Sequence, residues 1–167
     1  MTAQVLKAKP HTEKPATGLS DAARKKVAES LGEVLANTMT LQVKTQVYHW
    51  NVVGPAFYSL HKLTEEHYND LFGAADVIAE RIRALGHITP LSNKALTAKT
   101  DIDEETSTRS AGEMVEQLIE DHEQLIRDAR MAAKEAGEAG DMVTEDMLIA
   151  RLAFHEQAVW MLRAIAS

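Results

Sequence analysis

Apolar residues recur at helical spacing in four long stretches, and no stretch alternates as a strand would. Val27, Leu31, Val34, Leu35 and Met39 predict a first helix, capped at Ser20 and running to about Asn51, where Gly54-Pro55 breaks it. Leu60, Leu63, Leu71, Ile78, Ile82 and Leu85 predict a second, from about Tyr58 to Leu85, stopped by Gly86. A third begins at Ser110, which forms a capping-box pattern with Glu113. It continues through Val115, Leu118, Leu125, Ile126 and Ala129 to Gly137 or Gly140. The fourth covers roughly 142–165, with Leu148, Leu152, Val159 and Leu162 inward. Residues 87–108 form a long connection that contains Pro90 and a short helix around Asn93–Ala98.

Short first and third connections with one long central crossover predict an all-α, ferritin-like four-helix bundle over residues 20–167. An up-down bundle with an ornamented loop is the alternative, as is a cytokine-like bundle, which needs two long crossovers. Residues 1–19 carry Pro10, Pro15, Gly18 and scattered Lys with no apolar period, and read as a flexible basic tail.

The second helix carries another stripe beside its apolar one: His61, Glu65, Asn69, Phe72, Asp76 and Glu80. This helix therefore has one face for its own bundle and one for a partner. His61 and Glu65 are i,i+4 neighbours, and so are Asp76 and Glu80. The centres of the two pairs lie roughly 22 Å apart along a helix. Metal–ligand bonds are only about 2 Å long. If both pairs serve one metal site, the second must come from another copy of the helix, antiparallel across a two-fold axis. With His49 the pattern offers five ligands, His49, His61, Glu65, Asp76 and Glu80, at a site that exists only in a dimer.

Composition narrows the chemistry. The 167 residues contain no Cys, which removes thiolate sites and disulfides. The net charge of −7 is uneven: six Lys and Arg against Glu13 and Asp21 give +4 over residues 1–26, leaving −11 for the remainder. An acidic body suits cations and a basic arm suits anions. No apolar run approaches the roughly 18 residues of a spanning helix, and no apolar leader core is visible, so the reading is a cytoplasmic protein.

Imidazole and carboxylate donors suit Fe(II), Mn, Co or Zn. Carboxylates stabilise Fe(III) after oxidation; Zn would take the same ligands without electron transfer. The bland reading of Asp76 and Glu80 is a solvated helix face. Against it, Arg81 and Arg83 already supply the charged exterior, and Phe72 shares the stripe with the acids. No Glu stands three residues before His49, His61, His67, His122 or His155, which disfavours a di-iron centre within one subunit. His155, on the stripe Leu148-Leu152-Val159, reads as a hydrogen-bonded core residue, and His122 reads likewise. His67 points to another face. Trp50 is either helix-end packing or a trap for stray oxidising equivalents beside the metal. Glu138, Asp141 and Asp146 cluster with Glu145 between the last two helices. They read either as a charged turn with Asp141 as N-cap or as an acidic pore that draws in Fe(II).

His49-Trp50-Asn51, Gly54, His61, Glu65, Asp76-x-x-Ala79-Glu80-Arg81 and Leu85-Gly86 together resemble the Dps family, the miniferritins, over roughly residues 21–165. The resemblance implies a dodecameric hollow shell with di-iron ferroxidase centres at two-fold interfaces. One subunit would supply His49, His61 and Glu65, and its partner Asp76 and Glu80. It further implies oxidation of Fe(II), preferentially by hydrogen peroxide rather than dioxygen, storage of a ferric mineral, and DNA contact through basic tails, here Lys7, Lys9 and Lys14. Position 65 departs from many members in being Glu rather than Asp. Competing functions are a nucleoid-binding protein and a non-redox divalent-metal buffer that holds Zn or Mn.

Overall fold

The computed structural model describes residues 6–167, and its helices follow the local signals closely. α1 spans Asp21–Asn51, with the Ser20 side chain accepting from the Ala23 amide at 3.1 Å. α2 spans Phe57–Ala84, a short α3 Asn93–Thr97, α4 Ala111–Glu138 and α5 Met142–Ala166. Ser110 and Glu113 form the reciprocal capping box that starts α4. Among the described residues there is no strand, and no helix is long and apolar enough to cross a membrane.

α1 packs on α2 and α4 on α5, and the two hairpins are joined chiefly through α1 and α4. The shared core holds Leu31, Leu41, Leu71, Ile78, Leu118, Leu125, Leu148 and Leu162, all wholly buried. Each such side chain contributes about 1.5–3 kcal/mol by leaving water. Small residues on α4 (Ala129, Ala132, Ala133 and Ala136) are also buried and let the neighbouring helices come close.

The α1–α4 contact also carries a polar seam that the apolar stripe does not announce. Ser30 meets Glu135, Asn37 donates to Asp128 at 2.8 Å, Lys44 pairs with Asp121 at 2.6 Å, and the Tyr48 hydroxyl meets Gln117. The first three rungs lie seven residues apart on α1 and seven apart, in reverse, on α4. This ladder sets the antiparallel register of the two helices. Lys44 and Asp121 retain only 5% and 13% of their side-chain exposure. The crossover is fixed to the same edge: Thr100 and the Asp101 amide bond Asn37 Oδ1, and Tyr48 donates to Glu105 at 2.8 Å.

The segment before α1 is anchored to the bundle from Glu13 onward, within the stretch expected to be a flexible tail. The Glu13 amide donates to the Gly86 carbonyl at 2.8 Å, and buried Arg24 binds the carbonyls of Pro15 and Leu19. Gly86 closes α2 in the left-handed region at φ +89, and a Cβ there would lie 2.3 Å from the Glu13 carbonyl oxygen.

Candidate metal centre

His49 closes α1 and His61 lies one turn into α2, and the elbow between them brings the two rings together. The rings stack with centroids 3.8 Å apart and 18° between planes. Each Nδ1 reaches the other residue's backbone carbonyl: His49 to His61 O at 2.8 Å, and His61 to His49 O at 2.9 Å. A carbonyl only accepts, so both rings carry a proton on Nδ1, which leaves Nε2 as the nitrogen through which a neutral ring could bind an ion. A hydrogen bond from the second ring nitrogen to a backbone carbonyl is also how metal-ligating histidines are commonly oriented. The bond from His61 satisfies one of the carbonyls that the end of α1 leaves without a helical partner. Phe57 stacks on His61 at 5.0 Å, and Tyr68 meets His49 edge-on at 5.2 Å. The donor set fits a borderline to hard divalent ion: two oriented imidazoles, nearby carboxylates and no thiolate.

Glu65 sits one turn beyond His61, but its carboxylate is engaged by Lys62 Nζ at 2.8 Å. That ammonium holds the Glu65 carboxyl below the usual range. Asp76 and Glu80 lie farther along α2, both exposed. Asp76 stands beside Phe72 on the wall of a cleft of about 480 Å³ floored by Leu35, Met39 and Leu96. Among the described residues, no three His, Asp or Glu converge closely enough within one chain to hold a metal ion. One chain thus carries an imidazole pair and a carboxylate pair held apart by the intervening turns of α2.

The same surface exposes large apolar side chains: Trp50, Val53, Phe57, Tyr58 and Phe72. Side chains of this kind exposed along one helix pair suit contact with another protein. Trp50 is exposed and adjoins His49 in sequence.

The acidic cluster between α4 and α5 divides. Glu138 and Asp146 are exposed, whereas Asp141 is buried. Asp141 is the N-cap of α5, accepting from the Thr144 amide at 3.1 Å, and pairs with Arg81 Nη2 at 2.6 Å. Burial pushes its carboxyl up, but Arg81 and the Thr144 donors outweigh this and hold it low. The N-cap reading therefore describes Asp141, and Arg81 is a strut between α2 and α5 rather than part of a charged exterior. Lys7 and Lys9 are exposed, and Lys14 pairs with Asp21 at 2.9 Å.

His122 and His155 are hydrogen-bonded core residues, as their place on the apolar stripes suggests, and His67 joins them in a buried cluster of three imidazoles that the sequence reading did not include. His122 and His155 meet Nδ1 to Nδ1 at 2.8 Å, and His67 sets its ring edge-on to His122 at 5.4 Å. Arg151 bonds Asp70 at 2.7 Å and lies over the Phe154 ring at their border. Burial holds His67 down at about 4 and His155 at about 3, and keeps His122 well below its ordinary value. His67 projects from the α2 face opposite the ligand stripe, and its signal was its place among Leu60, Leu63, Leu71 and Ile78.

The ferritin-like domain family matches residues 28–167. A DNA protection during starvation protein of Brevibacillus brevis is 39% identical over 138 residues, covering 83% of this chain and 93% of that protein. An uncharacterised low temperature-induced protein of Nostoc sp. is 43% identical over 149 residues, covering 88% and 83%. The crystal structure of a Dps protein from Bacillus brevis superposes with TM-score 0.84 at 37% identity, covering 87% of this chain and 98% of that one. A Dps protein from Vibrio cholerae O1, described as a member of a broad superfamily of ferritin-like diiron-carboxylate proteins, superposes with TM-score 0.87 at 30% identity, covering 96% and 99%.

Proposed function

Because this chain belongs to the Dps family of ferritin-like proteins, we propose that it is an iron-storing ferroxidase whose reactive centres form between subunits. The observation that carries the reading is the reciprocal anchoring of His49 and His61, which leaves each Nε2 as the nitrogen that can bind an ion, on the face that also bears the carboxylates. His49, His61 and Glu65 of one subunit face Asp76 and Glu80 of the partner subunit across an antiparallel α2 pair. Such two-fold pairs build a dodecameric shell that holds ferric mineral.

Fe(II) is the substrate. Two Fe(II) together give two electrons to one hydrogen peroxide; with two protons the products are two Fe(III) and two waters, and no hydroxyl radical is released. Dioxygen is the slower oxidant. Paired carboxylates favour the ferric product, and the fixed imidazoles keep the pocket shaped while ions pass through. Zn(II) or Mn(II) takes the same nitrogen and oxygen donors but is not stored. Trp50, beside His49, intercepts stray oxidising equivalents. Exposed Glu138 and Asp146 line the approach for Fe(II). The protein acts in the cytoplasm.

Two measurements test this. Solution mass should correspond to about twelve chains, and a monomer would abolish an interface centre. Replacing His49 and His61 by Gly in the assembled protein should reduce peroxide-driven Fe(II) oxidation to background. Undiminished oxidation would show the centre to be elsewhere.

A second activity, protection of DNA by contact, is supported by exposed Lys7 and Lys9, multiplied across a shell. Such binding is salt-sensitive and indifferent to sequence, and would place the protein on the nucleoid. Reversing both charges to Glu should remove a low-salt gel shift; an unchanged shift discards the tail.

A further inference from the structure

We propose that Lys62 sets the order in which the shared centre fills, by occupying the carboxylate that its second metal position needs. The inference rests on the interface centre described above and concerns a residue outside its ligand set.

Lys62 precedes Glu65 by three residues, nearly one helical turn, and its Nζ lies 2.8 Å from Glu65 Oε2. The two imidazoles are held by backbone carbonyls, so they stand ready before any ion arrives. Glu65 is not ready. Its carboxylate is turned to the ammonium and does not gather with His49 and His61 into a three-ligand cluster. The Glu side chain has one methylene more than Asp, which extends its reach back to position 62.

A first divalent ion therefore binds on the imidazole side, together with Asp76 and Glu80 of the partner subunit, without disturbing Lys62. A second ion that recruits Glu65 must displace the ammonium and then lie beside a like charge. Both effects weaken the second position. In the empty centre Lys62 has the converse effect: its positive charge offsets the mutual repulsion of Glu65 with Asp76 and Glu80 of the partner subunit. Lys62 is thus a positioning and occupancy-setting residue, not a ligand.

The test is calorimetric titration of assembled protein with Co(II) alone, without oxygen. Wild type should show a tighter and a weaker class of site. Lys62→Gln should tighten the weaker class about three- to tenfold, the scale of one exposed ion pair plus one nearby charge. Lys62→Arg should behave as wild type. The gain from Lys62→Gln should shrink at high salt and vanish in a Glu65→Gln background. An unchanged or loosened weaker class in Lys62→Gln overturns the assignment. If Asp76→Asn with Glu80→Gln leaves all binding intact, the shared centre itself is wrong, a different failure from that of Lys62.

Discussion

Acid should unfold this bundle through the imidazoles in its core. In the folded chain His67 titrates at about 4 and His155 at about 3, with His122 also far below normal, each because burial disfavours its charged form. In the unfolded chain all three titrate near 6.5. The unfolded state is then the stronger proton binder, so the stability present above pH 6.5 is lost as pH falls toward the folded values. At pH 5 each histidine costs about 2 kcal/mol, since the unfolded chain is almost fully protonated there and the folded core almost not at all. The three together remove about 6 kcal/mol, and that sum hardly depends on how far below 5 the folded values lie. Against a typical net stability of about 5–15 kcal/mol this is decisive. Carboxylates held low by partners, such as Glu113, give up their contribution only below about pH 4.5. Asp121 and Asp128, pushed up by burial, act in the opposite sense at the lower edge of the window. Guanidinium unfolding at fixed protein concentration between pH 7 and 5 measures the effect. His67→Gln removes one titrating imidazole, so its loss over that interval should be smaller by about 2 kcal/mol. Equal slopes for variant and wild type would refute the reasoning, whatever their absolute stabilities.

Three further outcomes follow from the packing. Gly86→Ala imposes left-handed strain of about 1–2 kcal/mol and pushes residues 13–15 off the end of α2, so its melting temperature should drop by several degrees. Truncation before residue 16 should relieve the part due to the clash. Lys44→Met strands the Asp121 carboxylate in the α1–α4 seam and should cost about 3–5 kcal/mol in chemical unfolding. Adding Asp121→Leu should recover most of that, and a double variant no better than the single would contradict the pairing. Ser110→Ala dismantles the capping box and should cost about 1 kcal/mol; no change would mean that α4 is started by packing alone.

Helix limits were legible because each end has its own chemistry: Ser20 and Ser110 as caps, Gly86 as a stop, and apolar positions at one spacing between them. Four of the five candidate ligands stand out as a second stripe on α2 that has no work to do inside its own bundle; His49 lies on α1, and the stacking of its ring on His61 is what the fold adds. The polar seam was not. Ser30, Asn37 and Lys44 recur every seven residues, but polar residues on a helix look the same whether they face water or Asp128 and Asp121. Arg81 misleads likewise: it reads as surface charge, and only its meeting with Asp141, the cap of α5, turns it into a strut between α2 and α5. The docking of Glu13 and Pro15 on Gly86 depends on a contact more than seventy positions away, which no local pattern encodes.

The seven-residue spacing of the α1–α4 rungs is felt at the far end of α1. A slide of α4 by a single turn would set Asn37 and Lys44 opposite the wrong side chains and leave Asp121 and Asp128 without their partners, where Lys44 and Asp121 are largely closed to solvent. The helix that ends in His49 is therefore held against a slip of one turn. The height at which its imidazole stacks on His61 is decided some 8–30 Å away, by residues that touch neither ring.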